Sequence, residues 1–350
     1  MNNSNRLQYF DVLKGFAILL VVMGHVLTMC IRDIDNTLLF KIIERTHMPL
    51  FFFISGYFSF KCTTKGVPHD FPQLAKRFMQ LIVPFVAVSS LWIIYFPHSS
   101  LQSPIDSTLT GLYFNEWKNG YWFTLCLFEI ILVYAAIIPV LRLSHTIKGN
   151  ILIITATWAM LWILLRYVFP DNISSLLSFR LVFSFFPIFM AGVLAKKYVD
   201  SFYRNINKSG IYTSALIAIG VTLYYLCYYW EFPWINGEFT YIAGVILHIS
   251  LAIVATVFVK NYMGHDNKSG IIVNTFTLWG KESLTIYLLH YFFLFPLGWL
   301  RQPLIDMGLG FVPALIVSAI PAVVIITAVT GVNAIIGKSR LLSLLLTGKL

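Results

Sequence analysis

The chain has 350 residues, of which 58% are hydrophobic and only 11% are Asp, Glu, Lys or Arg, against roughly 25% charged residues in a soluble domain. That deficit excludes a soluble enzyme and places the chain in lipid. The excess of 25 basic over 15 acidic side chains, a formal charge of +10, does not point to nucleic acid, because the basic residues fall in short loops between apolar stretches, as membrane topology requires.

Stretches long enough to cross about 30 Å of hydrocarbon run in chain order over 10–30, 46–60 with a less apolar lead-in from 38, 79–96, 120–141, 151–169, 179–195, 210–230, 239–260, 273–298 and 309–337. They predict an all-α, polytopic integral membrane protein with about ten spans, forming a single transmembrane domain over residues 1–350. Lys and Arg set its orientation. With the N-terminus cytoplasmic, inner segments collect Arg6, Lys61, Lys65, Lys76, Arg77, Arg142, Lys148, Lys196, Lys197, Lys260 and Lys338, whereas outer segments hold only Arg32, Lys41, Arg45, Lys118, Arg180 and Arg301. The asymmetry predicts both termini inside. Met1 to Cys30 has some features of a signal peptide, but Met29 is too large for the cleavage position and more spans follow, so the segment is read as the first helix. Cys30, Cys62, Cys126 and Cys227 show no pairing or metal-ligand spacing and read as buried thiols, and no metal is expected.

Ionisable groups inside spans are costly, so each is a functional candidate. In the first helix ten residues separate Lys14 from His25, which puts both on one face about 16 Å apart along the axis. Asp11 precedes Lys14 at a spacing that allows an ion pair. In the second stretch His47 precedes Pro49, which is tolerated near a helix start, and lies near the depth expected for His25, so two imidazoles could share a proton-handling site. In the ninth, Ser283, Tyr287 and His290 follow a four-then-three spacing and share a face. Glu129 and Arg166 are isolated candidates. Each has a bland alternative: Lys14 as a snorkelling interfacial base, the Ser, Tyr and His groups as interhelical glue. Histidine here could be a general base or part of a transporter's proton relay, and spacing does not choose between them.

The basic residue, ten residues, then His pattern is matched by Lys14 to His25. With it come His47-Met48-Pro49-Leu50-Phe51-Phe52-Phe53-Ile54-Ser55-Gly56, Lys76-Arg77 leading into Pro84, Trp122-Phe123, Phe189 to Gly192, and Ser283 through His290. In this order the motifs resemble membrane-bound acyltransferase family 3 over essentially the whole chain. Most of the family carries Arg where this chain has Lys14, and the Lys form looks like the branch that includes fucose 4-O-acetylases. The resemblance implies an O-acetyltransferase that moves acetyl from cytosolic acetyl-CoA, a co-substrate, to a hydroxyl of an extracytoplasmic or lipid-linked glycan in the bacterial inner membrane. It implies His25 as general base, with Lys14, Lys76 and Arg77 toward the donor's phosphates, and His47, Ser283, Tyr287, His290 and Glu129 in supporting roles at the acceptor or the oxyanion. A homodimer is compatible with the sequence. The competing readings are a transporter or flippase of a small solute or lipid-linked sugar, using the same polar face as its path, and an assembly subunit whose polar residues only hold helices together.

Overall fold

Lipid offers the backbone no hydrogen-bond partners, so an apolar chain must satisfy its N–H and C=O groups within each segment. The computed structural model describes residues 7–32, 37–60, 71–95, 109–144, 146–199, 237–263, 270–308 and 310–349, together with residues 201 and 220, and no strand occurs among them. In chain order the helices are α1 (Gln8–His25), which widens into a π-helical turn (Val26–Arg32), α2 (Leu38–Ser59), α3 (Phe71–Tyr95), α4 (Leu109–Phe114), α5 (Trp122–Leu143), α6 (Ile147–Ile163), α7 (Asp171–Leu176) and α8 (Phe179–Lys197). There follow α9 (Gly237–Met263), α10 (Ile271–Lys281), α11 (Ser283–Leu289), α12 (Arg301–Asp306), α13 (Phe311–Ile336) and α14 (Arg340–Thr347). Local chemistry sets several ends: the Thr37 hydroxyl accepts from Phe40 N at 3.2 Å before α2, Thr146 from Gly149 N at 3.1 Å before α6, and Ser339 from Leu342 N at 3.4 Å before α14. Inside the helices hydroxyls bond their own carbonyls, as Ser89 does to Phe85 O at 2.6 Å and Thr256 to Ala252 O at 2.7 Å. Polar side chains are thus satisfied without water.

Seven helices among the described residues are long and apolar enough to cross a membrane, and an eighth counts if Ser283–Phe293 and Gly298–Asp306, bent by 86°, form one span. Seven of the ten expected stretches coincide with these helices. The stretch at 210–230 lies outside the described residues. Two others differ in instructive ways. The stretch at 46–60 is the second half of α2, a helix that begins at Leu38 and carries Lys41, Glu44 and Arg45 in its polar half. Pro49 is therefore interior rather than near a helix start, and it frees the carbonyl four residues back, at Arg45. The stretch at 273–298 is not one helix: it breaks between α10 and α11 and tightens into a 3₁₀ turn at His290–Phe293. Cys30 and Cys126 are buried free thiols as expected, while Cys62 and Cys227 fall outside the described residues.

The chain divides into two units, with α1 running on from the first into the second. The first comprises Met1–Ile18, Glu44–Phe60 and Pro187–Lys281. Within it α2 and α8 approach until backbone meets backbone: a Cβ on Gly56 would strike the Phe189 carbonyl, and one on Gly192 would strike the Phe53 carbonyl. Small residues of this kind let helices pack closely where lipid removes the hydrophobic drive for association. The second unit comprises Leu19–Ile43, Lys61–Phe186 and Glu282–Leu350. Here α14 lies on α3 and α11, α3 on α5, and α13 on α11. Lys349 Nζ anchors the chain's end by donating to Asn333 Oδ1 at 3.2 Å.

Gly192→Leu and Gly56→Leu should each destabilise the protein by about 1–3 kcal/mol through overpacking, read as a lower midpoint of thermal unfolding in detergent. Gly244→Ala in α9, where an added Cβ meets nothing within 4 Å, should leave the midpoint where it is. Equal tolerance at all three positions would refute the close α2–α8 contact.

Candidate active site

In the second unit, α1 ends on His25 and immediately widens into the π-helical turn, a deviation that is rare in helices and frequent at functional sites. Leu297 N donates to Cys30 O at 2.8 Å and ties this turn to the segment after the 3₁₀ turn. The turn and His25 thus share one scaffold. The Nε2 of His25 and the hydroxyl of Tyr291 are 3.0 Å apart, and the His25 ring lies 5.1 Å from the ring of His290 and 4.8 Å from that of Tyr291, centroid to centroid.

His290 is fully buried. Its Nδ1 lies 3.0 Å from Ile286 O and 2.8 Å from Tyr287 O. Carbonyl oxygens only accept, so Nδ1 carries the ring proton and Nε2 keeps the lone pair. That Nε2 is buried and has no hydrogen-bond partner among the described residues, and the same holds for the Tyr121 hydroxyl and both carboxyl oxygens of Glu129. Buried polar atoms left unpaired cost about 1–3 kcal/mol each. Such atoms therefore gather where a ligand or water can meet them.

The expectation for Tyr287 changes. Its hydroxyl does not touch His25 but donates to Gly120 O at 2.6 Å and accepts from Phe123 N at 3.0 Å, clamping the turn that leads into α5. That turn is left-handed at three consecutive residues, with φ of 47° at Lys118, 52° at Asn119 and 97° at Gly120. A Cβ at Gly120 would occupy the place of the Tyr291 hydroxyl, so only glycine suits both the backbone and the contact. Lys118, fully buried, donates from Nζ to Asn115 O at 2.8 Å and also to Ser175 O, and so pins the turn to α7. Burial lowers its ammonium pKa from the usual 10.5 to about 8, against the opposing pull of Glu129 and Glu116. Burial likewise raises the Glu116 carboxyl, while Arg180 and Lys118 draw it back.

The remaining candidates are dispersed. Lys14 pairs with the buried Asp11 at 3.0 Å, as its spacing predicts, and its Nζ stands 5.9 Å from the Phe58 ring centre, all within the first unit. His47 also belongs to the first unit, where it and Arg45 act electrostatically on His248 of α9. The imidazole beside His25 within the second unit is His290. Lys76 is exposed on α3, and the half-buried Arg77 donates to Gln80 Oε1 at 3.5 Å. Ser283 opens α11, and Glu129 lies on α5 within the electrostatic reach of Lys118. Arg166 is exposed in a π-helical turn at the end of α6 and belongs to no site. Sequence reasoning passed over Tyr291 and the Lys118-Asn119-Gly120 turn. Both left signals: Tyr291 continues the row Ser283, Tyr287 at intervals of four, and Asn-Gly is a turn dipeptide.

Because the unfolded chain holds the Lys118 proton up to higher pH than the folded one, stability should rise as pH climbs from about 8 toward 10.5. Thermal midpoints across that window should rise more steeply for the native chain than for Lys118→Met. Equal slopes would refute the buried ammonium.

The profile of the acyltransferase-domain family matches residues 7–330. The nodulation protein NolL of Mesorhizobium japonicum is 32% identical over 155 residues, covering 40% of this chain and 38% of that protein. NolL of Sinorhizobium fredii is 52% identical over 58 residues, 15% of this chain and 16% of that protein. The chain therefore spans well under half the length of the curated relatives it matches. No solved structure matches. On the extent of the profile, which runs from the start of α1 into α13, the chain belongs to the acyltransferase 3 family.

Proposed function

We propose that the protein is a membrane O-acyltransferase that moves acetyl from acetyl-CoA to a hydroxyl of an extracytoplasmic or lipid-linked glycan, with His25 as general base. One observation carries this reading: the first-helix histidine stands among buried polar groups, with the lone pair of His290 and the Tyr121 hydroxyl unpartnered among the described residues. His25 takes the proton of the acceptor hydroxyl as its oxygen attacks the thioester carbon. Collapse of the tetrahedral intermediate breaks the carbon–sulfur bond, and the proton passes to the departing thiolate, giving the ester and free CoA. A phenol O–H such as that of Tyr121 is the kind of donor that meets an oxyanion. The basic residues assigned to the donor's phosphates are Lys14, which already pairs with Asp11, and, separately in the second unit, Lys76 and Arg77. Where Lys replaces Arg at position 14, the phosphate meets a point charge rather than a planar fork. A bacterial inner membrane suits a cytosolic donor.

The 86° bend between Ser283–Phe293 and Gly298–Asp306 is a feature that a transporter would share, since broken helices line translocation paths. Release of CoA thiol separates the readings. Purified protein in lipid should release thiol from acetyl-CoA when a glycan mixture is present, and His25→Ala should lower the rate by about 100-fold or more at unchanged abundance. Full activity in His25→Ala would remove His25 from the reaction, and no release from folded native protein would favour transport.

A further inference from the structure

Tyr291 is nearly inaccessible to solvent, at 1% exposure. Its ring is packed by Trp92 at 5.7 Å, Tyr121 at 5.0 Å and His290 at 4.2 Å, centroid to centroid, so the phenol has one orientation. Its hydroxyl has one hydrogen-bond partner among the described residues, the Nε2 of His25. Room for that hydroxyl is made by Gly120, whose missing side chain leaves the space that the phenol fills. Gly120 is in turn held by the Tyr287 hydroxyl, which donates to Gly120 O, and the turn it ends is fixed by the buried Lys118 through bonds to Asn115 O and Ser175 O. Three left-handed residues in a row, two of them not glycine, are unfavourable by themselves. They persist because buried hydrogen bonds over-determine them. His25, by contrast, is only half-buried and stands where α1 gives way to the wider π turn, so its own helix constrains it least.

We propose that Tyr291 is the positioning residue of His25, its hydroxyl fixing the imidazole at Nε2, with the Gly120 turn built to seat that hydroxyl. The assignment rests on His25 being the base. With Nε2–H donating to the phenol oxygen, the imidazole keeps one rotamer and its lone pair on Nδ1, and the acceptor hydroxyl then meets that nitrogen in a single geometry. Tyr291 makes no contact with substrate in this scheme; it acts through His25. The row Ser283, Tyr287, Tyr291 is thereby divided between two tasks, with Tyr287 holding the loop and Tyr291 holding the base.

The test is Tyr291→Phe, which keeps every ring contact and deletes one oxygen, studied in full-length protein in lipid by two readouts. The first is CoA thiol release from acetyl-CoA with a glycan mixture: kcat should fall by about tenfold to a hundredfold, with KM for acetyl-CoA little changed. The second needs no turnover. The lone pair of a neutral imidazole attacks diethyl pyrocarbonate, and with Nε2–H held by the phenol only Nδ1 presents one. Loss of the phenol frees the ring to turn and to present either nitrogen, so carbethoxylation of His25 should speed several-fold, scored by mass spectrometry on its peptide, while His47 and His248 react as in the native chain. An unchanged rate at His25 overturns the positioning role whatever the kinetics show, as does a fall in kcat matched by a rise in KM. If the native protein releases no thiol, the acyltransfer reading fails and the carbethoxylation result decides the pairing of Tyr291 with His25 alone.

Discussion

The hydrogen bond between Tyr291 and His25 is the constraint on which the arrangement of the second unit turns. An intramolecular bond of this kind contributes about 0.5–1.5 kcal/mol net. The buried phenol has no solvent as an alternative partner, and the bond fixes how the half-buried imidazole presents itself. The costs appear nearby, as the left-handed turn at 118–120, the buried Lys118 ammonium and the partnerless lone pair of His290. The lone pair of His290, unpaired among the described residues, stands beside His25, and Tyr291, which bonds His25, packs on the likewise unpaired Tyr121 phenol and fills the space left by Gly120 of the left-handed turn.

Acyl transfer needs a base, a path for the proton and a donor for the oxyanion, in a place where water does not compete for the thioester. In the proposed reaction His25 supplies the first, and the Tyr121 phenol, unpartnered among the described residues, has the donor sense that the third requires. His290 holds its proton on Nδ1 and offers only a lone pair toward the site. Two adjacent imidazoles are thus not equivalent: one is held by a side chain, the other by backbone carbonyls. The first unit contributes a different character, with Lys14 neutralised by Asp11 and Lys196 standing 5.1 Å from the Tyr57 ring centre, cations held against aromatic faces.

Much of this was legible in the chain before its structure. Composition announced lipid, hydropathy placed seven helices, and the Lys14-to-His25 spacing named the histidine that proves to stand among buried polar groups. What was illegible depended on tertiary contacts. Nothing local says that α1 widens after His25, because π turns lack a strong sequence signature, or that the apolar stretch from 273 breaks near Glu282, where Lys281 and Glu282 are a weak interruption. The less apolar lead-in from 38 proves to be the start of α2, and Lys41, Glu44 and Arg45, which count as outer-segment charges in the sequence, form the polar half of that helix. Spacing puts Tyr287 on one face with Ser283 and His290 but does not name Gly120 O and Phe123 N as the groups across from it, since it gives the side of a helix and not what faces that side. His248, on which His47 acts electrostatically, lies in a stretch whose apolar run gave it no prominence.

The central claim is that this chain forms an ester bond on a hydroxyl-bearing glycan. The direct measurement supplies membranes containing the protein with acetyl-CoA carrying a radiolabelled acetyl group, then recovers the carbohydrate fraction and treats it with mild alkali. The account predicts label on carbohydrate that alkali releases as acetate, and none from membranes lacking the protein. Label that stays with CoA, or appears on carbohydrate in a form stable to alkali, would contradict it.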